Sequence, residues 1–174
     1  DGLSSVGGLL RGRRFVVLSG AGCSTDSGIP DYRGPTGSLR RRAPVQYQEF
    51  LRSEAVRQRY WARSLLGFRQ VGAAQPNAVH RAVAALERAG LVTGLITQNV
   101  DGLHSQAGSQ RVVELHGSLH WVRCLACGRR ESRAALQAQL LGQNPEYAQH
   151  SAVAAPDGDA DFEPGTAGLP AFQV

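Results

Sequence analysis

The stretch Arg14-Phe15-Val16-Val17-Leu18-Ser19-Gly20-Ala21-Gly22-Cys23-Ser24 decides the fold class of this 174-residue chain. Its first half is a short apolar run, and a glycine-rich segment follows at once. A buried strand that leads into a glycine turn is how a parallel α/β sheet begins. Two further apolar runs, residues 92–96 and 111–115, follow segments with helical periodicity at residues 49–66 and 76–90. This alternation predicts a doubly wound, Rossmann-like parallel sheet.

The glycine-rich segment is a candidate phosphate-binding turn, since glycines allow the backbone N–H groups to approach a pyrophosphate. An ordinary structural turn is the alternative. The segment departs from the fingerprint of hydride-transfer enzymes, because Thr25 replaces the third glycine and Arg40, Arg41 and Arg42 stand where a ribose-binding acid is expected. The pattern therefore disfavours a dehydrogenase, but it is compatible with the binding of a dinucleotide.

Polar side chains follow the ends of the second and third predicted strands. Thr97-Gln98-Asn99-Val100-Asp101 comes after the second strand, and His116 comes after the third. Open α/β sheets bind ligands at the carboxyl ends of their strands, and a histidine there can act as a general base. The alternatives are a helix cap by Asn99 or Asp101 and a structural role for His116.

A proline turn lies between the first strand and the first helix, at Gly28-Ile29-Pro30-Asp31-Tyr32-Arg33. Pro30 stiffens the turn and brings Asp31 and Arg33 close together. A surface turn that carries an ion pair is the alternative interpretation.

The pair Cys124-x-x-Cys127 offers two thiolates, which is half of a tetrahedral zinc site. Two unpaired thiols are the alternative, because no second C-x-x-C follows in the chain. With Cys23 the cysteines number three, which does not indicate a disulfide framework. We assign residues 1–118 to the first part of a Rossmann-like domain and residues 119–174 to an incomplete zinc-binding module and loop.

Composition excludes some classes of function. No apolar run approaches 18 residues, so no membrane span is expected. The net charge is +5 and every basic residue is an arginine, but the arginines are spread along the chain, which makes nucleic-acid binding an unfavoured interpretation.

Taken together, in their order and spacing, these motifs resemble the sirtuin family across roughly residues 12–130. The matching segments are Gly20-Ala21-Gly22-x-Ser24, Ser27 to Arg33, Thr97 to Asp101, Leu103-His104, Gly108-Ser109, Glu114 to Gly117, and Cys124-x-x-Cys127. The stretch from Arg57 to Arg63 looks most like the class II, mitochondrial lipoamidase-type sirtuins. By that resemblance we expect a mitochondrial matrix location.

The resemblance implies an NAD-consuming enzyme that removes acyl groups from protein lysines, with ADP-ribosyl transfer as a side activity. His116 would be the general base, with Asn99 as its catalytic partner. Tyr60 and Arg63, three residues apart on one helix face, would contact the acyl tail. The implied NAD-binding residues are Gly20, Ala21, Gly22, Ser24, Ile29, Asp31, Tyr32, Arg33, Gln98, Asn99, Val100 and Asp101.

The resemblance also implies that the chain is an N-terminal fragment, since the second pair of zinc ligands and the later strands of the family are absent from it. We therefore expect the fragment alone to be poorly stable and inactive, because a parallel sheet without its outer strands exposes an apolar edge. A non-catalytic NAD- or zinc-binding module is the alternative function. The sequence does not indicate an oligomeric state.

Overall fold

Three parallel strands form the main sheet of the protein, for which a computed structural model describes residues 7–32, 45–163 and 170–174. The strands are β1 (Phe15–Ser19), β2 (Val92–Thr97) and β3 (Val112–Glu114), in the order β1-β2-β3. A second, antiparallel sheet pairs β4 (Trp121–Arg123) with β5 (Arg130–Ser132). Residues 7–10 are helical. The helices after β1 are α1 (Tyr47–Arg52), α2 (Glu54–Ala73), α3 (Ala78–Arg88), α4 (Leu103–Gln106) and α5 (Arg133–Gln143), with 3-10 segments at Ala21–Ser27 and Pro145–Gln149.

The register of the main sheet brings the carboxyl ends of its strands to one edge. Ser19 of β1 lies opposite Thr97 of β2, which in turn lies opposite Glu114 of β3. The predicted parallel α/β sheet is therefore confirmed. The residues that follow each strand emerge side by side, which is the arrangement that positions ligand sites in such folds.

One face of this sheet carries exposed apolar side chains. Leu18, Ile96 and Val113 are in register across the three strands, and Leu18 and Val113 are 66% and 55% exposed. Strands of parallel sheets are usually covered on both faces, which is why they are apolar throughout. In the described part of the chain, this face of the sheet lacks such a cover.

The segment 49–66, which we predicted as one helix, forms parts of two. The chain leaves helical geometry at Ser53, whose hydroxyl accepts a hydrogen bond from the Val56 N–H at 3.3 Å and so caps α2. The central part of α2, residues 62–68, is buried. Of the apolar positions that the periodicity placed on one face, Leu65 and Leu66 are buried, whereas Leu51 and Ala55 are exposed. The periodicity showed neither the interruption nor the burial of the helix on all sides over residues 62–68.

Helix α3 begins where Pro76 and Asn77 predicted a start. The Asn77 side chain accepts hydrogen bonds from the N–H groups of Val79 and His80, and the ring of His80 accepts one from the Asn77 N–H, forming a reciprocal capping box. Gly90, with φ of 77°, lies just beyond the helix in the left-handed region. The start and the end of α3, the helix that connects α2 to β2, are thus both set by local sequence.

Helix α5 packs on α2 through a buried arginine. The Arg133 guanidinium lies 4.4 Å from the ring centroid of Phe68 and 5.5 Å from that of Trp61, and it donates to the carbonyl and hydroxyl of Ser64. Burial lowers the pKa of Arg133 to about 10, which leaves it charged at neutral pH.

The chain after α5 completes a core shared with α2. Buried members of this core are Ala62, Leu65, Leu66, Leu140, Tyr147, Ala160 and Phe172. Residues 151–163 are irregular except for one bridge between Ala154 and Ala160, as the Ala-, Pro- and Gly-rich sequence predicted. Side chains from residues 133–163 and 170–174 thus pack on α2, and the boundary at residue 118 stays a prediction.

No helix in the described ranges is long and apolar enough to cross a membrane.

Candidate active site

The glycine-rich segment after β1 forms a short 3-10 helix rather than an open turn. It runs from Ala21 to Ser27, and Gly28 ends it with φ of 81°, a left-handed conformation that favours glycine. The Gly28 N–H donates to the carbonyl of Thr25, which closes the last turn. The winding of this segment turns Ser24 inward, where it is 1% exposed.

Ser24 is the centre of a buried hydrogen-bond network at the strand ends. Its hydroxyl donates to Asp101 Oδ2 at 2.7 Å and accepts from the Asn99 side-chain amide at 3.1 Å. Asp101 Oδ1 accepts from the Leu103 N–H at 3.0 Å, which closes a turn just before α4. The N-cap position of α4 is Gly102, so Asp101 is not the helix cap that the sequence offered as an alternative. The three side chains come from two strand ends, and each is at most 8% exposed.

His116 lies just beyond β3 with its ring oriented by the neighbouring strand end. Its Nδ1 is 2.9 Å from the carbonyl oxygen of Gln98. Since a carbonyl can only accept, Nδ1 carries the proton and Nε2 keeps its lone pair. This tautomer lets His116 take a proton at Nε2, which is what a general base requires.

A cavity of about 250 Å³ joins these groups. The side chains of the three strand ends and of the 3-10 segment converge on it, although they are far apart in the sequence. Its lining consists of Ala21, Ser24, Ile29, Tyr32, Gln98, Asn99, Val100, Asp101, His116, Pro156 and Asp157. The structure therefore places Asn99 and His116 in one shared space.

Some of the predicted cofactor-binding residues do not line this cavity. Gly20, Gly22 and Asp31 are outside its lining, and Arg33 lies outside the described residues. Conversely, Pro156 and Asp157 line it but were not predicted, because their Ala-, Pro- and Asp-rich segment carries no motif. Only the packing of that segment over the strand ends reveals them.

A second cavity, of about 310 Å³, adjoins the first and shares Val100, His116 and Asp157 with it. Tyr60 lines this second cavity, so the structure brings it close to His116. Arg63 does not line it. Its guanidinium instead pairs with Asp159 through two hydrogen bonds, and its predicted contact with an acyl chain stays a prediction.

A cysteine and two histidines pack directly behind the Ser24 network. Cys23 Sγ is 3.7 Å from His80 Nε2 and 3.8 Å from His104 Nε2, and the two rings are 4.6 Å apart. Burial raises the pKa of the Cys23 thiol, and the nearby Asp101 carboxylate raises it further. Burial lowers the pKa of His80, and burial together with His80 lowers the pKa of His104 to about 4.

The low pKa of His104 predicts a loss of stability in acid. Because an unfolded histidine titrates near pH 6.5, the stabilising contribution is present above that pH and is lost as the pH falls toward 4. We expect the free energy of unfolding to fall by about 2 kcal/mol between pH 7 and pH 5 from this group. Urea unfolding at the two pH values measures the difference.

The variant His104→Gln should lose most of this pH dependence, whereas the matched variant His150→Gln should retain it. Equal pH dependence of the free energy of unfolding in the parent and in His104→Gln would contradict the assignment of this effect to His104.

The paired thiols lie at the end of the β4–β5 hairpin. Cys124 and Cys127 are both exposed, and N–H groups of Cys127 and Ala126 lower the pKa of Cys124 by donating to its sulfur. This arrangement favours the thiolate that zinc binds and fits half of a tetrahedral site. Among residues 7–32, 45–163 and 170–174, no third ligand group joins the two thiols.

The chain is similar over most of its length to known proteins of one family. The model of the Sir2 family matches residues 20–157. An NAD-dependent protein deacetylase 3 of Pseudomonas syringae pv. tomato is 53% identical over 164 residues, which cover 94% of this chain and 58% of that protein. An NAD-dependent protein deacetylase 1 of Streptomyces coelicolor is 56% identical over 160 residues, covering 92% and 54%.

Solved structures show the same similarity. A Sir2 homologue in complex with NAD has a TM-score of 0.57 and 41% identity, over 71% of this chain and 48% of that one. A complex of Sir2 with a p53 peptide and NAD⁺ has a TM-score of 0.61 and 35% identity, over 76% and 53%. The chain spans about half the length of the proteins it matches.

Proposed function

This chain belongs to the Sir2 family, and we propose that it supplies the NAD-binding and general-base part of an NAD-dependent protein deacetylase acting on acetylated lysines. The motifs of the sequence resemble those of sirtuins, and the match to the Sir2 family model agrees with that resemblance. The relatives cited above are bacterial deacetylases, so deacetylation is the reaction that the comparisons favour.

One observation carries the proposal: a single cavity joins a hydroxyl, an amide, a carboxylate and an imidazole at the ends of three parallel strands. Ser24 follows β1, Asn99 and Asp101 follow β2, and His116 follows β3. Convergent polar groups in a cleft at the carboxyl edge of a parallel sheet are typical of a nucleotide site. The alternative of a non-catalytic module does not account for the orientation of His116 by Gln98.

The residues of the cavity fit the nicotinamide-ribose half of NAD. Asn99 and Asp101 offer hydrogen-bond donors and acceptors for hydroxyl and carboxamide groups, and Ile29, 2% exposed, supplies an apolar part of the wall. The 3-10 segment from Ala21 onward would lie against the pyrophosphate. When bound, NAD supplies a ribose carbon that becomes reactive as nicotinamide departs, so it is consumed rather than reduced.

His116 would accept the proton of a ribose hydroxyl at Nε2. Its Nδ1–H bond to the Gln98 carbonyl holds the ring orientation, and the positive charge formed at Nε2 stays stabilised by that carbonyl. Because His116 lines both cavities, its imidazole borders the proposed NAD site and the proposed acyl-lysine site.

The second cavity is the proposed site for the acylated lysine. Apolar side chains of Val45, Tyr60 and Leu119 line it beside His116, which suits a small uncharged acyl group. Lipoamidase activity, ADP-ribosyl transfer and a mitochondrial location stay predictions from the sequence resemblance, as does zinc binding by Cys124 and Cys127.

Ser24→Ala in the full-length protein tests the cofactor part of this proposal. The substitution leaves the buried Asp101 carboxylate and the Asn99 amide without their shared partner, and an unsatisfied buried polar group costs roughly 1–3 kcal/mol. We expect kcat/KM for NAD to fall by about tenfold or more. Nicotinamide release in the presence of an acetyl-lysine peptide is the measurement.

Ser105→Ala, at an exposed position of α4, is the matched control and should leave kcat/KM unchanged.

The same assay distinguishes the deacetylase from the two alternative functions. A non-catalytic module would bind NAD without releasing nicotinamide, and a dehydrogenase would change the absorbance of the nicotinamide ring by hydride transfer. Either outcome would overturn the proposed deacetylase.

A further inference from the structure

A thiol and two imidazoles converge behind the candidate NAD site, and neither the fold nor the proposed reaction requires the thiol. We propose that Cys23, His80 and His104 form a binding site for a thiophilic transition-metal ion such as Zn²⁺ or Co²⁺. In the described part of the chain, this is the one group of three such side chains whose ligand atoms all lie within 4.8 Å of one another.

The two sulfur–nitrogen distances are close to those of tetrahedral coordination. With metal–sulfur and metal–nitrogen bonds of about 2.3 and 2.0 Å, a tetrahedral ion separates sulfur from nitrogen by roughly 3.5 Å. Cys23 Sγ is 3.7 Å from His80 Nε2 and 3.8 Å from His104 Nε2. Shifts of a few tenths of an ångström would complete both sulfur–nitrogen pairs. The two histidine nitrogens, which lie within 4.8 Å of each other, would have to be roughly 3.3 Å apart, which side-chain rotation can supply.

The chemistry of the donors selects the class of metal. One thiolate and two imidazoles suit Zn²⁺, Co²⁺ and Cu²⁺ and do not suit Mg²⁺ or Ca²⁺, which prefer oxygen ligands. Three protein ligands leave a fourth position open for water or for the Ser24 hydroxyl, which is 3.5 Å from His80 Nε2. The Asp101 carboxylate, bonded to Ser24, adds a second negative charge that favours a divalent ion.

The hydrogen bonds that the two histidine rings already make limit the affinity of the site for a metal ion. The Asn77 N–H donates to His80 Nδ1, and His104 Nε2 is 2.9 Å from the Ser19 hydroxyl. Coordination through Nε2 moves the ring proton of His80 to Nδ1, which can then no longer accept from the Asn77 N–H, so this bond of the capping box is lost. Coordination also replaces the Ser19 contact of His104. The Nδ1 of His104 is buried without a hydrogen-bond partner, so it can take up the displaced proton without losing a bond.

Cobalt titration of the full-length protein tests the site, because Co²⁺ reports its own ligands. A thiolate ligand produces a charge-transfer band in the near ultraviolet, and tetrahedral coordination produces intense visible bands. The exposed pair Cys124 and Cys127 would give a similar signal, so the titration uses the variant Cys124→Ser/Cys127→Ser, in which Cys23 is the only thiol of residues 1–174. The same variant with Cys23→Ser added shows which part of the signal comes from Cys23.

We expect this variant to bind one Co²⁺ per chain with both spectral features. Adding Cys23→Ser should abolish the charge-transfer band and weaken binding by at least about tenfold, since even loss of a supporting residue typically costs that much. His104→Gln should weaken binding comparably while keeping the band. Far-ultraviolet circular dichroism confirms that each variant is folded.

Absence of the band when Cys23 is present, or an unchanged band in Cys23→Ser, would overturn the proposal. Because these readouts do not involve NAD, their outcome does not depend on the proposed deacetylase activity.

A bound ion beside Ser24 and Asp101 would also compete with NAD, so Zn²⁺ should inhibit nicotinamide release less in full-length Cys23→Ser than in the parent. Equal inhibition of both would contradict the placement of the ion.

Discussion

Replacing His116 with alanine in the full-length protein should lower the rate of lysine deacetylation by roughly 100- to 10,000-fold, the usual contribution of a general base. The structure orients this ring through the Gln98 carbonyl, which leaves Nε2 free to take a proton in the shared cavity. Nicotinamide release should persist at a higher residual rate, because departure of nicotinamide does not require this base. Mass spectrometry of an acetyl-lysine peptide and an assay of free nicotinamide measure the two steps separately.

The variant His150→Ala provides the matched control, since His150 lies against Phe162 and does not line either cavity. It should retain deacetylation. Normal deacetylation by His116→Ala would remove His116 from the proposed mechanism, and an equal loss of both steps would assign it a role in binding instead.

Replacing Arg63 with alanine should lower the free energy of unfolding by about 3–5 kcal/mol, because it leaves a largely buried carboxylate without its partner. Arg63 Nε and Nη2 donate to Asp159 at 2.9 and 2.5 Å, and the two side chains are only 8% and 17% exposed. Burial raises the pKa of Asp159, and Arg63 acts in the opposite direction. Urea unfolding followed by tryptophan fluorescence measures the change.

Removing both partners tests whether the loss comes from the unpaired charge. The double variant Arg63→Ala/Asp159→Ala should be more stable than Arg63→Ala alone, whereas Arg52→Ala, at an exposed position, should differ from the parent by less than about 0.5 kcal/mol. A single variant as stable as the parent would show that the ion pair does not anchor residues 153–163 to α2.

Local sequence signals predicted much of the sheet and of the site. The apolar runs located all three parallel strands to within one or two residues, because strands of a parallel sheet carry apolar residues on both faces, here including the face that the described residues leave uncovered. Polar residues directly after such runs must emerge at one edge of the sheet, so Asn99 and His116 could be expected in a common cleft. The capping residue Asn77 likewise predicted the start of α3.

Contacts between distant segments were not predictable in this way. Nothing near Arg63 in the sequence shows that its partner is Asp159, which lies 96 residues away. His80 was missed as a site residue because its position on α3 indicates only the buried face of a helix. Its approach to Cys23 depends on how α3 packs against the 3-10 segment, which no local pattern specifies.

The hydrogen bonds at the centre of the site each close a long loop of chain. Ser24 and Asp101 are 77 residues apart, and Ser24 and Asn99 are 75 residues apart. Such contacts form only after the intervening helices and strands have come together, because loop-closure entropy must be overcome first. The cavity should therefore appear late in folding, and its amide protons should exchange with solvent only when the whole sheet opens.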